Sequence, residues 1–147
     1  MIALVQRVNH SSVSINSNIF SQIDTGLLIL LGINKGDKKQ DAKYLSKKIV
    51  DLRIFSDEAN KMNLNIKNIE GSILVVSQFT LCGNLQKGNR PSFINAAKKD
   101  LAKPLYEYFI KLLKEYKINV QTGKFGAEME LDIVNNGPVT LIINSKK

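Results

Sequence analysis

The chain has 147 residues, enough for one domain whose core folds without disulfide or metal staples. Its 44% hydrophobic content is ordinary for a globular protein and excludes a disordered chain, and its longest apolar run, residues 27–31 with Ile33 beyond Gly32, falls well short of the about 20 residues a membrane span needs. Lys+Arg 21 against Asp+Glu 13 leaves a net charge of +8, which makes a polyanion such as RNA a plausible partner and establishes nothing more.

Residues 1–11 alternate apolar and polar side chains and include Arg7 and Asn9, so they lack the apolar centre of a secretory signal. The single cysteine, Cys82, can form no internal disulfide, and the expected location is the cytoplasm. Residues 2–8 read as a strand, Val13 and Ile15 alternate with serines in a second, and Ile19 and Ile23 lie in a third. Residues 27–33 are nearly all apolar, as in a strand covered on both faces. Asp37 reads as an N-cap with Gln40 three residues on, opening a helix whose buried stripe is Ala42, Leu45, Ile49 and Leu52 and whose lysines face water. Residues 73–76 form another central strand. A second amphipathic helix shows Leu105, Tyr108, Phe109, Leu112 and Tyr116 on one face, with Pro104 either opening or kinking it. Residues 129–134 and 139–143 read as strands on either side of Asn135-Asn136-Gly137-Pro138. Grouped strands and segregated helices, without βαβ alternation, predict a single α+β domain over residues 1–147. Its sheet is expected to be mainly antiparallel and curled over two main helices.

Much familiar chemistry is missing. His10 is the only histidine, which excludes two-histidine motifs and His-based metal sites, and no CxxC, HExxH, Walker loop or GxGxxG occurs. A lone histidine at a strand end is usually a surface residue, and a cysteine after a strand is usually a small buried hydrophobe. An enzyme with this sequence has to work by positioning and backbone hydrogen bonds.

Four segments carry what signal there is. Ser77-Gln78-Phe79-Thr80-Leu81 places a polar cluster at the end of a central strand. There, uncommitted backbone N–H groups can face an oxyanion, or the hydroxyls can merely satisfy a turn. Lys87-Gly88-Asn89-Arg90-Pro91-Ser92-Phe93 is a basic loop that could clasp phosphates, although by itself it reads as ordinary solvated loop. In Thr122-Gly123-Lys124-Phe125-Gly126-Ala127-Glu128-Met129, the Phe125 ring either stacks a nucleobase or plugs a loop. Asn136-Gly137-Pro138-Val139-Thr140 reads locally as a hairpin turn, but the proline permits a cis peptide that would align neighbouring carbonyls as an acceptor for an ammonium group.

Together the four segments resemble one family, the D-aminoacyl-tRNA deacylases, from Met1 to about Ile143. SQFTL at 77–81 and NGPVT at 136–140 are its signatures. VQRV at 5–8, KGNRPSF at 87–93, LYEYF at 105–109 and TGKFGAEM at 122–129 fall in family order. Cys82, at a position taken as variable, and Pro104, which could shift the helix start but does not touch the implied pocket, are the departures. The resemblance implies hydrolysis of the ester of D-aminoacyl-tRNA and of glycyl-tRNA by a homodimer, without cofactor, metal or membrane. Selectivity comes from main-chain carbonyls of Gly137 and Pro138, joined by a cis peptide, that reach into the partner's site and leave no room for an L side chain. Carried over, Ser77, Gln78, Phe79 and Thr80 line the catalytic pocket, with N–H groups around Phe79 and Thr80 as oxyanion donors. Arg7 braces the Gly-Pro loop, and Phe125 and Met129 shape the terminal-adenosine pocket. Lys87 and Arg90 are weaker candidates for RNA contact. Either Thr80 attacks as a nucleophile or the terminal ribose hydroxyl assists water. The second is favoured because no base lies near Thr80 in the sequence. A non-catalytic nucleic-acid-binding protein on the same scaffold is the alternative, and a general esterase is disfavoured by the lack of a triad.

Overall fold

In the computed structural model, which describes residues 1–86 and 88–146, the start of the chain builds one strand where two were expected. That strand, β1 (Ile2–Ile15), carries its polar stretch through with bulges instead of turning, and the buried Ser11 hydroxyl donates to the Asp132 carbonyl at 2.8 Å. One edge of β1 pairs antiparallel with β8 (Glu130–Asn144). Its other edge is shared by β3 (Gly26–Gly32), which takes residues 2–8, and β2 (Asn18–Ile23), which takes residues 11–15. A strand with two successive neighbours on one edge has to coil. The sheet curls with it.

Two further strands, β6 (Ser72–Ser77) and β7 (Asn119–Thr122), complete the order β2-β1-β3-β6-β7. A small hairpin of β4 (Phe55–Ser56) and β5 (Met62–Leu64) lies apart. The α+β class with a curled, mainly antiparallel sheet and two main helices stands. The absence of βαβ alternation does not. β3 pairs parallel with β6 across helix α1 (Lys39–Val50), and β6 pairs parallel with β7 across α2 (Lys99–Glu115). The long segments that accompany each helix hid both crossovers. The two ends of the order meet where the Ser21 hydroxyl on β2 donates to the Thr122 carbonyl on β7 at 2.8 Å, leaving a nearly closed barrel.

The period of two sorts the core. Leu27, Ile29 and Leu31 of β3, with Ile73 and Val75 of β6, face the helices, while Leu28, Leu74 and Val76 face the inside of the curl with Val8, Val13 and Ile23. This is why β3 reads as an unbroken apolar run.

Both helix readings need correction. The N-cap of α1 is Lys38, not Asp37, and its N–H is bound at 2.8 Å by the carboxylate of Asp41. Asp37 is instead buried against the chain terminus, its Oδ2 2.7 Å from the Met1 ammonium. Ala42, Leu45 and Ile49 are buried as expected, with Leu52 partly buried beyond the helix end. In α2 the buried face is Ala102, Leu105, Tyr106, Phe109 and Leu113, rotated toward Tyr106. The cause is a polar anchor, since the Tyr106 hydroxyl donates to the buried Val75 carbonyl at 2.8 Å and burial pushes its pKa up. Tyr108 and Leu112 are only partly buried, and Tyr116 is exposed. Pro104 lies inside the helix on its exposed side, where water can take the acceptor it leaves free.

Burial pushes the Asp41 carboxyl up, but the Ser145 hydroxyl, the Lys38 N–H, Lys146 and the Met1 ammonium outweigh it and hold it below its ordinary value. A depressed carboxyl stabilises the fold above its unfolded pKa of about 3.9, and that contribution is lost as pH falls through the folded value. Thermal melts of Asp41→Asn should therefore be less stable than wild type at neutral pH and converge with it below about pH 4. A constant gap down to pH 2 would refute the linkage.

Candidate functional site

β6 delivers the polar cluster to the end of the sheet. Its last rung is the Gln78 N–H on the Leu31 carbonyl at 2.8 Å, after which Phe79–Cys82 wind into one 3-10 turn. Within it the Leu81 N–H bonds the Gln78 carbonyl at 3.3 Å and the Gly83 N–H bonds the Thr80 carbonyl at 3.0 Å. Among the described residues, the N–H groups of Phe79 and Thr80 have no acceptor, as expected for the first donors of a helical turn. The turn rests on Gly32, where a β-carbon would come within 3.0 Å of Leu81 Cβ and 3.1 Å of the Cys82 sulfur. Gly32→Ala should therefore displace the turn.

Beside the turn lies a pocket of about 450 Å³. Ser77, Gln78 and Phe79 form one wall, and Phe125, Gly126, Ala127, Glu128 and Met129 form the opposite one. Val13, Val76 and Leu131 reach it from the inside of the curl, and Leu31 from the face that packs on the helices. The Phe125 ring packs on Tyr106 with centroids 5.4 Å apart, as a loop plug would, and it also lines the pocket. Thr80 is exposed beside the pocket, its hydroxyl accepting from the Gln78 side-chain amide. Burial, then the charge of Asp37, push the Cys82 thiol up, so it is a protonated core group at neutral pH. His10 sits away from the pocket, 3.4 Å from exposed Asp24.

Arg7, Gly137 and Pro138 form a separate cluster that does not line this pocket. The hairpin expected at 135–138 is absent, because β8 runs continuously from Glu130 to Asn144. What looked like a turn is a bulge, in which residues 136–139 oppose only Arg7, between the pairs Gln6–Thr140 and Val8–Asn135. The expected cis peptide is also absent: among the described residues every peptide bond is trans, including Gly137-Pro138. Gly137 has φ +111°, which few L side chains adopt, and a β-carbon there would strike the Arg7 guanidinium. Arg7 Nε donates to the Asn136 carbonyl at 3.2 Å while Nη1 donates to the Ile54 carbonyl, so it braces the bulge.

Asn135 was missed by sequence reasoning. Its amide donates to the Arg7 carbonyl at 2.9 Å and the Val139 carbonyl at 3.2 Å, stitching both sides of the bulge. The signal was the doubled asparagine before glycine. Glu128, the one carboxylate lining the pocket, was quoted only as part of its segment. Arg90 is exposed on a loop closed by the Asn84–Ser92 pair, and Lys87 lies outside the described residues.

A curled sheet with two crossover helices and a strand-end pocket is a recognised class. A solved structure described as a probable eukaryotic D-amino acid tRNA deacylase superposes with TM-score 0.84 over 97% of this chain and 98% of its own, and at 16% identity that likeness defines the fold. A second, described as c-Myc DNA Unwinding Element Binding Protein, superposes with TM-score 0.94 at 36% identity over 100% of both chains. A family model described as D-Tyr-tRNA(Tyr) deacylase matches residues 4–144. The D-aminoacyl-tRNA deacylase of Thermosipho melanesiensis is 53% identical over 148 residues, covering 100% of this chain and 99% of that protein. The one from Clostridium novyi is 52% identical with the same coverage. The chain belongs to the D-aminoacyl-tRNA deacylase family, which makes it a hydrolase.

Proposed function

We propose that this protein is a single-domain cytoplasmic enzyme that hydrolyses the ester of D-aminoacyl-tRNA, and of glycyl-tRNA, as a homodimer that excludes L side chains. The observation that carries the proposal is the pair of unaccepted N–H groups at Phe79 and Thr80, at the rim of a pocket walled by Ser77, Gln78 and Phe79. Ester hydrolysis develops an oxyanion, and prepositioned backbone donors stabilise it without reorganising. The Phe125 ring and the Met129 thioether suit the flat, polarisable face of the terminal adenine. Lys87 and Arg90 remain candidates for phosphate contact.

The second subunit enters through the bulge. Gly137 and Pro138 have no register partner on β1 and stand apart from their own chain's pocket, with Pro138 exposed. Carbonyls on a bulge braced by Arg7 and Asn135 suit the α-ammonium of a substrate seated in a neighbouring copy. With ammonium and ester both fixed, an L side chain points into protein, a D side chain points outward, and glycine has nothing to clash.

Within this reading the terminal ribose hydroxyl, not Thr80, assists the attacking water. The Thr80 hydroxyl accepts from an amide, which cannot take its proton. Thr80→Ala should keep activity within about tenfold of wild type, a barrier change below ~1.4 kcal/mol. Near-total loss in a folded variant would make Thr80 the nucleophile.

The direct test offers D-Tyr-tRNA and L-Tyr-tRNA to the protein, with release of the D form alone expected. Equal hydrolysis of both, or of neither, refutes the proposal. A second reading, nucleic-acid binding without catalysis, draws on the DNA-element binding named for the 36% identical protein and on the +8 charge. It predicts tight single-strand binding and no deacylation in the same assay.

A further inference from the structure

We infer that Phe79 and Phe93 form a stacking ledge for the nucleotide preceding the terminal adenosine at the substrate's single-stranded 3′ end. The inference rests on the deacylase reading above and extends it from the adenosine pocket to the next base. The two rings meet edge to face, with centroids 5.0 Å apart and planes 70° apart, yet they are 57% and 37% exposed. Phe79 also lines the pocket, so the ledge continues from its rim.

The ledge is held rigidly. Phe93 lies over Gly83, where a β-carbon would come within 3.0 Å of its ring. Its loop is pinned by paired Asn84 and Ser92 backbones at 2.8 and 3.0 Å. The Ala96 N–H bonds the Phe93 carbonyl at 2.9 Å, and the Ala97 N–H bonds the Ile33 carbonyl at 2.9 Å. Charge selects the occupant: residues 83–99 include Lys87, Arg90, Lys98 and Lys99 and no Asp or Glu, which suits a phosphodiester beside a stacked base. Stacking on an aromatic face tolerates any base, so the ledge would serve every tRNA alike.

The test compares three D-tyrosyl esters, of adenosine, of cytidylyl-(3′→5′)-adenosine and of whole tRNA. Wild type should hydrolyse the dinucleotide ester with kcat/KM about five- to 150-fold above the adenosine ester, the range that stacking one base supplies. Phe93→Leu, which keeps apolar contact with Phe79, should erase that ratio chiefly through KM, and Phe93→Trp should keep it. Equal wild-type kcat/KM for the two short esters overturns the inference without a variant. So does a Phe93→Leu loss equal on both esters, or one accompanied by a smaller mass in light scattering, which would assign the rings to the second subunit. If wild type cleaves no D-ester, or cleaves the L-tyrosyl esters equally well, the deacylase reading falls and this inference with it.

Discussion

Two inactive variants, Phe79→Pro and Gly137→Ala, should recover about a quarter of wild-type activity when co-refolded in equal amounts. Phe79→Pro deletes one N–H donor at the pocket rim. Gln78 before it has φ −139° and ψ 79°, outside the helical region that a following proline disfavours, so the turn tolerates the change. Losing one oxyanion donor should lower kcat by about 10²–10³. Gly137→Ala puts a β-carbon against the Arg7 guanidinium at a φ that strains it by about 1–3 kcal/mol, so the bulge must move. If the bulge serves the neighbouring copy, a mixed dimer holds one site with both defects and one with neither. About half of the dimers are mixed, which leaves about one site in four intact. No recovery, with mixed dimers confirmed by mass, would place the bulge at its own chain's pocket and end the two-subunit reading.

How much of this was legible in the sequence depended on whether the signal was local. Residues 27–33 announced a doubly covered strand because both faces of β3 carry apolar side chains, and the stripe of α1 followed from spacing alone. The crossovers were not legible, because parallel pairing of β3 with β6 joins residues more than 40 positions apart. The rotated face of α2 was missed because Tyr106 looks polar until the buried Val75 carbonyl is seen above it. At the site, residues 77–79 of SQFTL and 125–129 of TGKFGAEM line one pocket, with Thr80 beside it. NGPVT misled on geometry, since glycine and proline after asparagine fit a hairpin and a bulge equally well, and only the continuous pairing with β1 decides.

Asp37→Asn should cost about 3–5 kcal/mol, the penalty for breaking a buried ion pair from one side. The pair is between Asp37 and the Met1 ammonium, 2.7 Å apart with side chains 1% and 0% exposed. The carboxylate also accepts the Asn34 N–H at 2.7 Å and Lys146 Nζ at 2.9 Å, while the ammonium donates to the Ser145 hydroxyl at 2.8 Å. An asparagine retains the shape but leaves the ammonium buried without its counter-charge. For a chain of this length the melting temperature should fall by on the order of 10 °C. Lys146→Met should cost far less, because Lys146 is 54% exposed and water replaces its contacts. The consequence reaches the site. Asp37 fastens the segment at Asn34, which pairs with Ala96, and Ile33 and Ala97 both line the pocket. Loosening that segment should lower kcat/KM well below the melting range as well. Urea unfolding and kinetics on the same Asp37→Asn sample decide it: stability within about 1 kcal/mol of wild type would mean the ammonium finds another partner and the clasp does not hold the pocket wall.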